Sequence, residues 1–313
     1  MTGKVVTALG FLRRGDLRGL CRQVAILART TKVRGRHGAP FVHNRLGFGF
    51  VCFPGTADSV EMYVKGSDED RRELSLLRAW VAAGDGALDV GSNLGVYAAA
   101  AAQAAGATGR VMAVEPSPSL AGLIGEAARL LSLGGIRVYP SCAGDARGQV
   151  PFHVAKGGTT GAQSLRVEPG REVEYETITV GIDTLDHMLA ETPGFPAPSF
   201  VKVDVEGAEV SAIRGASDLL GSPDPALWIV EINPPALARF GTLPSQVTEN
   251  FAAGRFERWL IPKYPRAGST DSPRPLAPAE AFGDALFYNL VAIPKAGKWS
   301  GRAEGIRRLL RAR

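Results

Sequence analysis

Several apolar runs in this chain stop at an acid, and each of those acids has a chemical use. In Val201-Lys202-Val203-Asp204-Val205-Glu206-Gly207-Ala208-Glu209 two carboxylates close a β-branched run, and in Val230-Glu231-Ile232-Asn233 a third does the same. A carboxylate held at the end of a buried strand can orient a hydroxyl or take its proton, the work of a general base. Asp204, Glu206 and Glu231 also form an oxygen-rich set of the kind Mg²⁺ prefers, so a metal held by these three is a second use of the same residues. Glu209 needs no such task, because an acid in the first turn of a helix is favoured by the helix dipole.

A glycine turn and a further acid point to a bound cofactor. Asp89-Val90-Gly91-Ser92-Asn93-Leu94-Gly95 lies where a buried strand gives way to an alanine-rich helix. Small residues there let the backbone approach a ligand, and the helix N-terminus offers N–H groups to a carboxylate or phosphate. The G-x-x-x-G spacing differs from the G-x-G-x-x-G dinucleotide fingerprint. Glu115, 20 residues past Gly95, ends the next strand. Doubly wound folds keep there an acid whose two oxygens accept hydrogen bonds from ribose hydroxyls.

These residues need a frame that brings strand ends together, and the pattern from about residue 81 supplies one. Ala87–Val90, Val111–Val114, Ile136–Tyr139, Phe200–Val205 and Leu227–Ile232 read as strands, with helices over Val96–Ala105, Ser119–Leu133 and Ala208–Leu220. Alternation of this kind implies right-handed crossovers and a parallel, doubly wound α/β sheet. A β-hairpin is expected as an insertion over about 150–182, and two closing strands over about 255–293, joined by the proline-rich loop 265–283. Residues 1–80 read as a cap: a basic helix with a stripe of Leu17, Leu20, Cys21, Val24 and Leu27, then a hairpin of Gly47–Phe53 and Ser59–Val64 about Pro54-Gly55-Thr56. Residues 294–313 read as a basic tail.

With the frame in place, the motifs LDVGSNLG, VEP, TLD (Thr184–Asp186) and KVDVEGAE followed by I-x-G-A resemble, in order and spacing over residues 85–235, the FkbM family of S-adenosylmethionine-dependent methyltransferases. The resemblance implies a Rossmann-like methyltransferase fold. It implies that Asp89, Gly91, Asn93 and Gly95 embrace the methionine portion of S-adenosylmethionine, that Glu115 holds its ribose, and that Asp145 contacts its adenine. The family's usual reaction, O-methylation of a sugar or secondary-metabolite hydroxyl, gives Asp204, Glu206 and Glu231 the acceptor to orient or deprotonate, with Mg²⁺ still open. Asp145 equally suits a turn between Gly144 and Gly148. Asp186 suits a cap for the helix that begins near His187. His153 lies on the outward side of the inserted hairpin.

Other classes fit less well. An NAD-dependent oxidoreductase shares the strand-turn-helix and the ribose acid but has a third glycine that is absent here. A non-catalytic methyltransferase-like interaction module would not need intact cofactor motifs. A nucleic-acid methyltransferase would place D/N-P-P-Y/F after the fourth strand, whereas Asn233-Pro234-Pro235 follows the fifth and lacks the aromatic that stacks on a flipped base. The expected partner is therefore a small-molecule or glycan acceptor.

Charge and cysteine usage bear on location. Three cysteines without a C-x-x-C pair fit a reducing compartment. The Val5–Leu12 stretch ends at Arg13-Arg14 without a cleavage pattern, so no signal peptide and a cytoplasmic location are expected. The net charge of +5 hides an uneven distribution: residues 1–40 carry +8, residues 294–313 carry +6, and the body between carries −9. The acidic body disfavours a phosphate-rich acceptor. The basic ends, the last with Ile306, Leu309 and Leu310 at helical spacing, suggest peripheral contact with an anionic membrane.

Overall fold

The computed structural model describes residues 17–45, 47–65, 70–155, 163–166, 174–263, 272–276 and 287–312. The Val5–Leu12 stretch and most of the loop 265–283 lie outside them.

The N-terminal section differs from the expected hairpin. Helix α1 (Leu17–Arg34) leads to strands β1 (Phe41–Arg45) and β2 (Phe48–Cys52), which pair about a turn containing Gly47 at φ +80°. Ser59–Val64, expected as a strand, lies in helix α2 (Ala57–Lys65). Its Val60, Tyr63 and Val64 fall on one helical face and pack with Val33, Phe41 and Cys52. The spacing satisfied both periods, and the greasy partner on one side decided for the helix. Helix α3 (Arg71–Trp80) follows and sends Leu74, Leu77 and Trp80 into the main core.

The body then runs β3 (Gly86–Val90), α4 (Val96–Ala105), β4 (Arg110–Val114), α5 (Pro118–Leu130) and β5 (Ile136–Tyr139). The expected inserted hairpin is a three-stranded sheet: β6 (Ser141–Ala143) pairs parallel with β8 (Tyr175–Asp183), and β7 (Gly148–Ala155) pairs antiparallel on the other side of β8. Helix α6 (Leu185–Ala190) and strand β9 (Pro198–Val203) come next. The single helix expected over Ala208–Leu220 is two short ones, α7 (Glu209–Arg214) and α8 (Ser217–Gly221). Gly215 between them lies so close to the Gly144 carbonyl that a side chain there would collide. Strand β10 (Leu227–Ile232), helices α9 (Pro234–Arg239) and α10 (Pro244–Glu249), and strands β11 (Phe256–Lys263), β12 (Arg274–Pro275) and β13 (Phe287–Pro294) complete the body.

The main sheet has the order β12-β11-β13-β10-β9-β3-β4-β5. Strands β5, β4, β3, β9 and β10 are parallel, and β13 is antiparallel between β10 and β11. Apolar side chains cover both faces, as a parallel sheet with helices on each side demands: Ala87, Val111, Phe200 and Ile229 on one, Leu88, Met112, Val201 and Val230 on the other. The chain leaves β3 toward β4 on one side and reaches β9 on the other. The crevice beyond the carboxyl ends of β3 and β9 is therefore the expected ligand site.

The C-terminal residues are part of this body and not a separate tail. Helix α11 (Ala303–Arg311) packs on α3, with Ile306 and Leu310 fully buried and Leu309 partly so. Its arginines also tie down the fold: Arg302, just before it, pairs with Asp85, and Arg307 with Glu257 at 2.8 Å.

Candidate active site

A cavity of about 540 Å³ opens at that switch point, a size suited to a small-molecule ligand. Asp89, Gly91, Asn93, Glu115, Asp204, Glu206 and Glu231 all line it. The turn after β3 is built by backbone constraints. Gly91 and Ser92 donate to the Val114 carbonyl at 2.9 and 3.0 Å, and Gly91, Asn93 and Gly95 all have positive φ (+80°, +51°, +71°). A β-carbon on Gly91 would strike the Asp204 carbonyl oxygen, and one on Gly95 would crowd Ile124 at 3.1 Å. The absence of side chains at these two positions lets the turn pack against the Asp204 backbone and against α5; Gly91 lines the cavity and Gly95 lies outside the lining.

Asp89 and Glu115 hold the cradle from beneath. Asp89 Oδ2 accepts the Ala98 N–H at 2.8 Å, satisfying one of the donors a helix N-terminus leaves without a partner. Burial pushes its carboxyl up to about 6. Glu115 accepts the Asn93 N–H on Oε2 at 2.8 Å and the Ser117 N–H on Oε1 at 2.9 Å. Burial raises Glu115 to about 7, against the two backbone donors, which favour its charged form. Each of its oxygens accepts one N–H and retains a lone pair, so the carboxylate can accept from two neighbouring hydroxyls, as a ribose diol requires. Asn93 Oδ1 is buried without a hydrogen-bond partner at the same place. A tight glycine turn after β3, a fixed two-oxygen acceptor and an orphaned amide oxygen fit S-adenosylmethionine.

The acids on the other side are neighbours through charge. Lys202, 1% exposed within β9, donates to Asp204 Oδ2 at 2.9 Å. Burial alone would raise Asp204, but the ammonium groups of Lys202 and Lys263 overcome this and hold it below the usual carboxylate range. Glu231 has the opposite fate: burial and the Asp204 charge push it well up, so it holds the proton of the pair. Lys263 Nζ lies 3.8 Å from Glu231 and 3.5 Å from Asp70, and Tyr97 donates its hydroxyl proton to Asp70 at 3.0 Å. Among the described residues no group of three or more His, Cys, Asp or Glu is placed to hold a metal ion. Ammonium groups stand beside Asp204 and Glu231.

Glu206 and Glu209 depart from their sequence readings in opposite ways. Glu206 has φ +55° and its carbonyl accepts from Ser164 of the inserted segment and Arg239 at the end of α9, which together hold its conformation. Glu209, read as a mere helix-dipole acid, is fully buried, and its Oε1 accepts the N–H groups of Val205 and Gly207, both at 3.1 Å. It pins the turn that carries Glu206. Asp145 is exposed and outside the cavity lining, its N–H donated to Ser211 Oγ at 3.1 Å; Ser141, Cys142 and Ala143 form the wall at that end. Asp186 caps α8 through the N–H groups of Asp218 and Leu219, not α6, whose cap is Thr184. Asn233 accepts the Ala236 N–H and caps α9, and His153 bonds Thr177 outside the cavity.

Lys202, Lys263, Asp70 and Tyr97 were not singled out from sequence. Only Lys202 had a local signal, a lone cation in an otherwise apolar strand. The cavity is completed by Met62 of α2 and by Phe152, Gln163 and Leu165 of the inserted segment.

A mixed sheet whose last strand slips in antiparallel, with a glycine turn after β3 and a buried acid after β4, is the frame of a Rossmann-like S-adenosylmethionine-dependent methyltransferase. Residues 89–259 match the model of the Methyltransferase FkbM domain, and the chain belongs to that family. No curated protein matches it. Among solved structures it overlaps a methyltransferase FkbM from Methylobacillus flagellatus at 14% identity and TM-score 0.43, covering 74% of this chain and 52% of that one. It overlaps the O-methyltransferase from Bacillus cereus, solved in complex with SAH, at 11% identity and TM-score 0.42, covering 86% and 90%. A putative rRNA methylase from Clostridium thermocellum overlaps at 11% identity and TM-score 0.43, covering 74% and 98%. Overlaps this loose carry no weight beside the family match.

Proposed function

We propose that the protein transfers the methyl group of S-adenosylmethionine to a hydroxyl oxygen of a sugar, glycan or secondary metabolite. The observation that carries this reading is Asp204, an ionised carboxylate on the wall of the cavity that Gly91 and Glu115 also line. The donor, when bound, supplies a methyl group already activated on a positively charged sulfur, which leaves positioning and proton removal to the protein. Asp204 takes the hydroxyl proton as the acceptor oxygen gains its methyl group. Glu231, holding its own proton, leaves Asp204 as the basic member of the pair. Glu206 accepts a second hydroxyl and fixes the acceptor's orientation. Carboxylates offer acceptor atoms only, so they suit a molecule rich in O–H donors, while Met62 and Phe152 face its carbon skeleton. Incubating the enzyme and methyl-labelled donor with envelope glycans, metabolite extracts, DNA and RNA tests this. Label is expected on a hydroxyl of the glycan or metabolite fraction; label confined to nucleic acid, or to nitrogen, would refute it.

We also propose that α1 rests on an anionic membrane surface from the cytoplasmic side. Val24 and Leu27, 59% and 50% exposed, lie three residues apart on α1. Between Leu17 and Thr56 the chain carries seven Lys and Arg and no Asp or Glu, a charge complementary to anionic lipid. The apolar residues of α11 are in the core, so that end contributes charge alone. Among the described residues no helix is long and apolar enough to cross a membrane. Helix α1 packs on α2, whose Asp58, Glu61 and Met62 line the cavity, so a bilayer on α1 lies one helix from the acceptor. The full chain should sediment with phosphatidylglycerol-containing vesicles at low salt, and a V24E/L27E variant should remain largely in the supernatant. Equal sedimentation of the two would remove this surface from the account.

A further inference from the structure

The buried lysine of β9 has no stabilising purpose that a leucine would not serve better. Lys202 alternates with Val201 and Val203 and shares its face of the sheet with Phe200, all at most 1% exposed. Moving an ammonium out of water costs several kcal/mol, and a buried ion pair is often no better for stability than an apolar pair of equal volume. What Lys202 touches gives the reason for its presence. Its Nζ lies 2.9 Å from Asp204 Oδ2 and 5.5 Å from the centre of the Tyr97 ring. The Tyr97 hydroxyl donates to Asp70, Asp70 pairs with Lys263, Lys263 with Glu231, and Glu231 closes the circuit by donating to Asp204. Six side chains from α4, β9, β10, β11 and the turns beside them thus form one ring on the cavity wall.

We infer that Lys202 is a positioning residue for methyl transfer, and that the ring it anchors aims Asp204 at the acceptor. The inference rests on the reading of Asp204 as the base. Lys202 is bonded to Asp204 alone among the carboxylates, whereas Lys263 divides its charge between Glu231 and Asp70, so the ring itself chooses which acid is charged. The other groups that act on Asp204 or share its field are Lys263 from β11, which also favours its charge, and the acids Asp89 from β3, Glu206 from the turn after β9 and Glu209 at the start of α7. The charges of the three acids disfavour the ionised form, and without Lys202 only Lys263, which also serves Glu231 and Asp70, is left to oppose them. A structural lysine would move stability; a positioning lysine must move the pH at which the base works.

The test is the pH profile of kcat/KM, with the labelled acceptor fraction, for the full chain and for K202M, K202Q and K202R, beside the S-adenosylmethionine Kd of each. Asp204 must be ionised to act, so activity falls as pH drops through its pKa. Losing the cation raises that pKa and moves the acid limb of the profile upward by about one pH unit or more, with kcat lowered about 100-fold at neutral pH and the cofactor Kd within about twofold. K202R, which keeps the charge, restores the position of the limb. K202Q removes the charge but keeps a donor to Asp204, so it carries the same expectation should K202M fail to bind cofactor. An acid limb that stays in place in both charge-removing variants would overturn the inference, however far activity falls. D204N separates the two ideas: if it retains activity, the reading of the base has failed; if it is inactive and the K202M limb is unmoved, only the role of Lys202 has.

Discussion

Asp204→Asn lowers turnover by about 10³-fold and leaves S-adenosylmethionine binding within about twofold of the parent. The amide keeps the size of the carboxylate and an oxygen that can accept from Lys202, but it cannot take a proton. The cofactor contact survives because Gly91 packs against the backbone carbonyl of residue 204, which the substitution leaves in place. Since the lost interaction belongs to the transition state, kcat and kcat/KM fall together and KM for the acceptor changes little. The variant also loses stability, because Lys202 is left buried without its counter-charge, a defect of about 3 kcal/mol by analogy with other broken buried pairs. Steady-state kinetics beside cofactor titration measure both halves. Parent-like turnover would take Asp204 out of the mechanism.

Gly91→Ala is the second large effect, and it acts on both substrates at once. The position has φ +80°, which costs an L-residue about 1–2 kcal/mol, and the new methyl group is directed into the Asp204 carbonyl oxygen. Backbone, not a flexible side chain, must then move. Forcing extra volume into a packed site costs a further 1–3 kcal/mol or so. The displacement distorts the turn proposed to hold the cofactor and shifts the strand end that carries Asp204. Cofactor affinity is expected to fall by about 100-fold, with a lower Tm, whereas the exposed Gly122→Ala on α5, with nothing near its added carbon, leaves affinity unchanged and raises Tm slightly, because alanine favours a helix interior over glycine. Calorimetric titration and a thermal melt of the two variants make the comparison. Unaltered affinity in Gly91→Ala would mean that the cofactor does not use this turn.

The parts of the site legible in sequence were those made from neighbouring residues. Strands such as Leu227–Ile232 read directly because both faces are buried and the run is wholly apolar, and an acid at the end of such a run is conspicuous. Glu115 was legible because its distance from the glycine turn is fixed by one helix and one strand. Lys263, Asp70 and Tyr97 had no comparable signal: the sheet order brings β11 beside β13 and over to Glu231 from 32 residues away in sequence. Lys202 was visible as a cation in an apolar strand, but its purpose depends on Tyr97, which lies on the far side of a crossover. Ser59–Val64 misled because a short apolar pattern satisfies both strand and helix, and only the pocket between α1 and β1 decides. Asp145 misled because a turn aspartate and a ligand-binding aspartate have the same local sequence. The stripe of Ile306 and Leu310 read as surface because nothing local shows that α3 covers it.

The central claim is that the cavity between β3 and β9 is an S-adenosylmethionine site with a base beside it, and titration of the wild-type chain tests it most directly. Calorimetry with S-adenosylmethionine is predicted to show saturable binding at one site per chain, retained in Asp204→Asn and weakened about 100-fold in Gly91→Ala, with no heat from NAD under the same conditions. Saturable binding of NAD together with no binding of S-adenosylmethionine would contradict it.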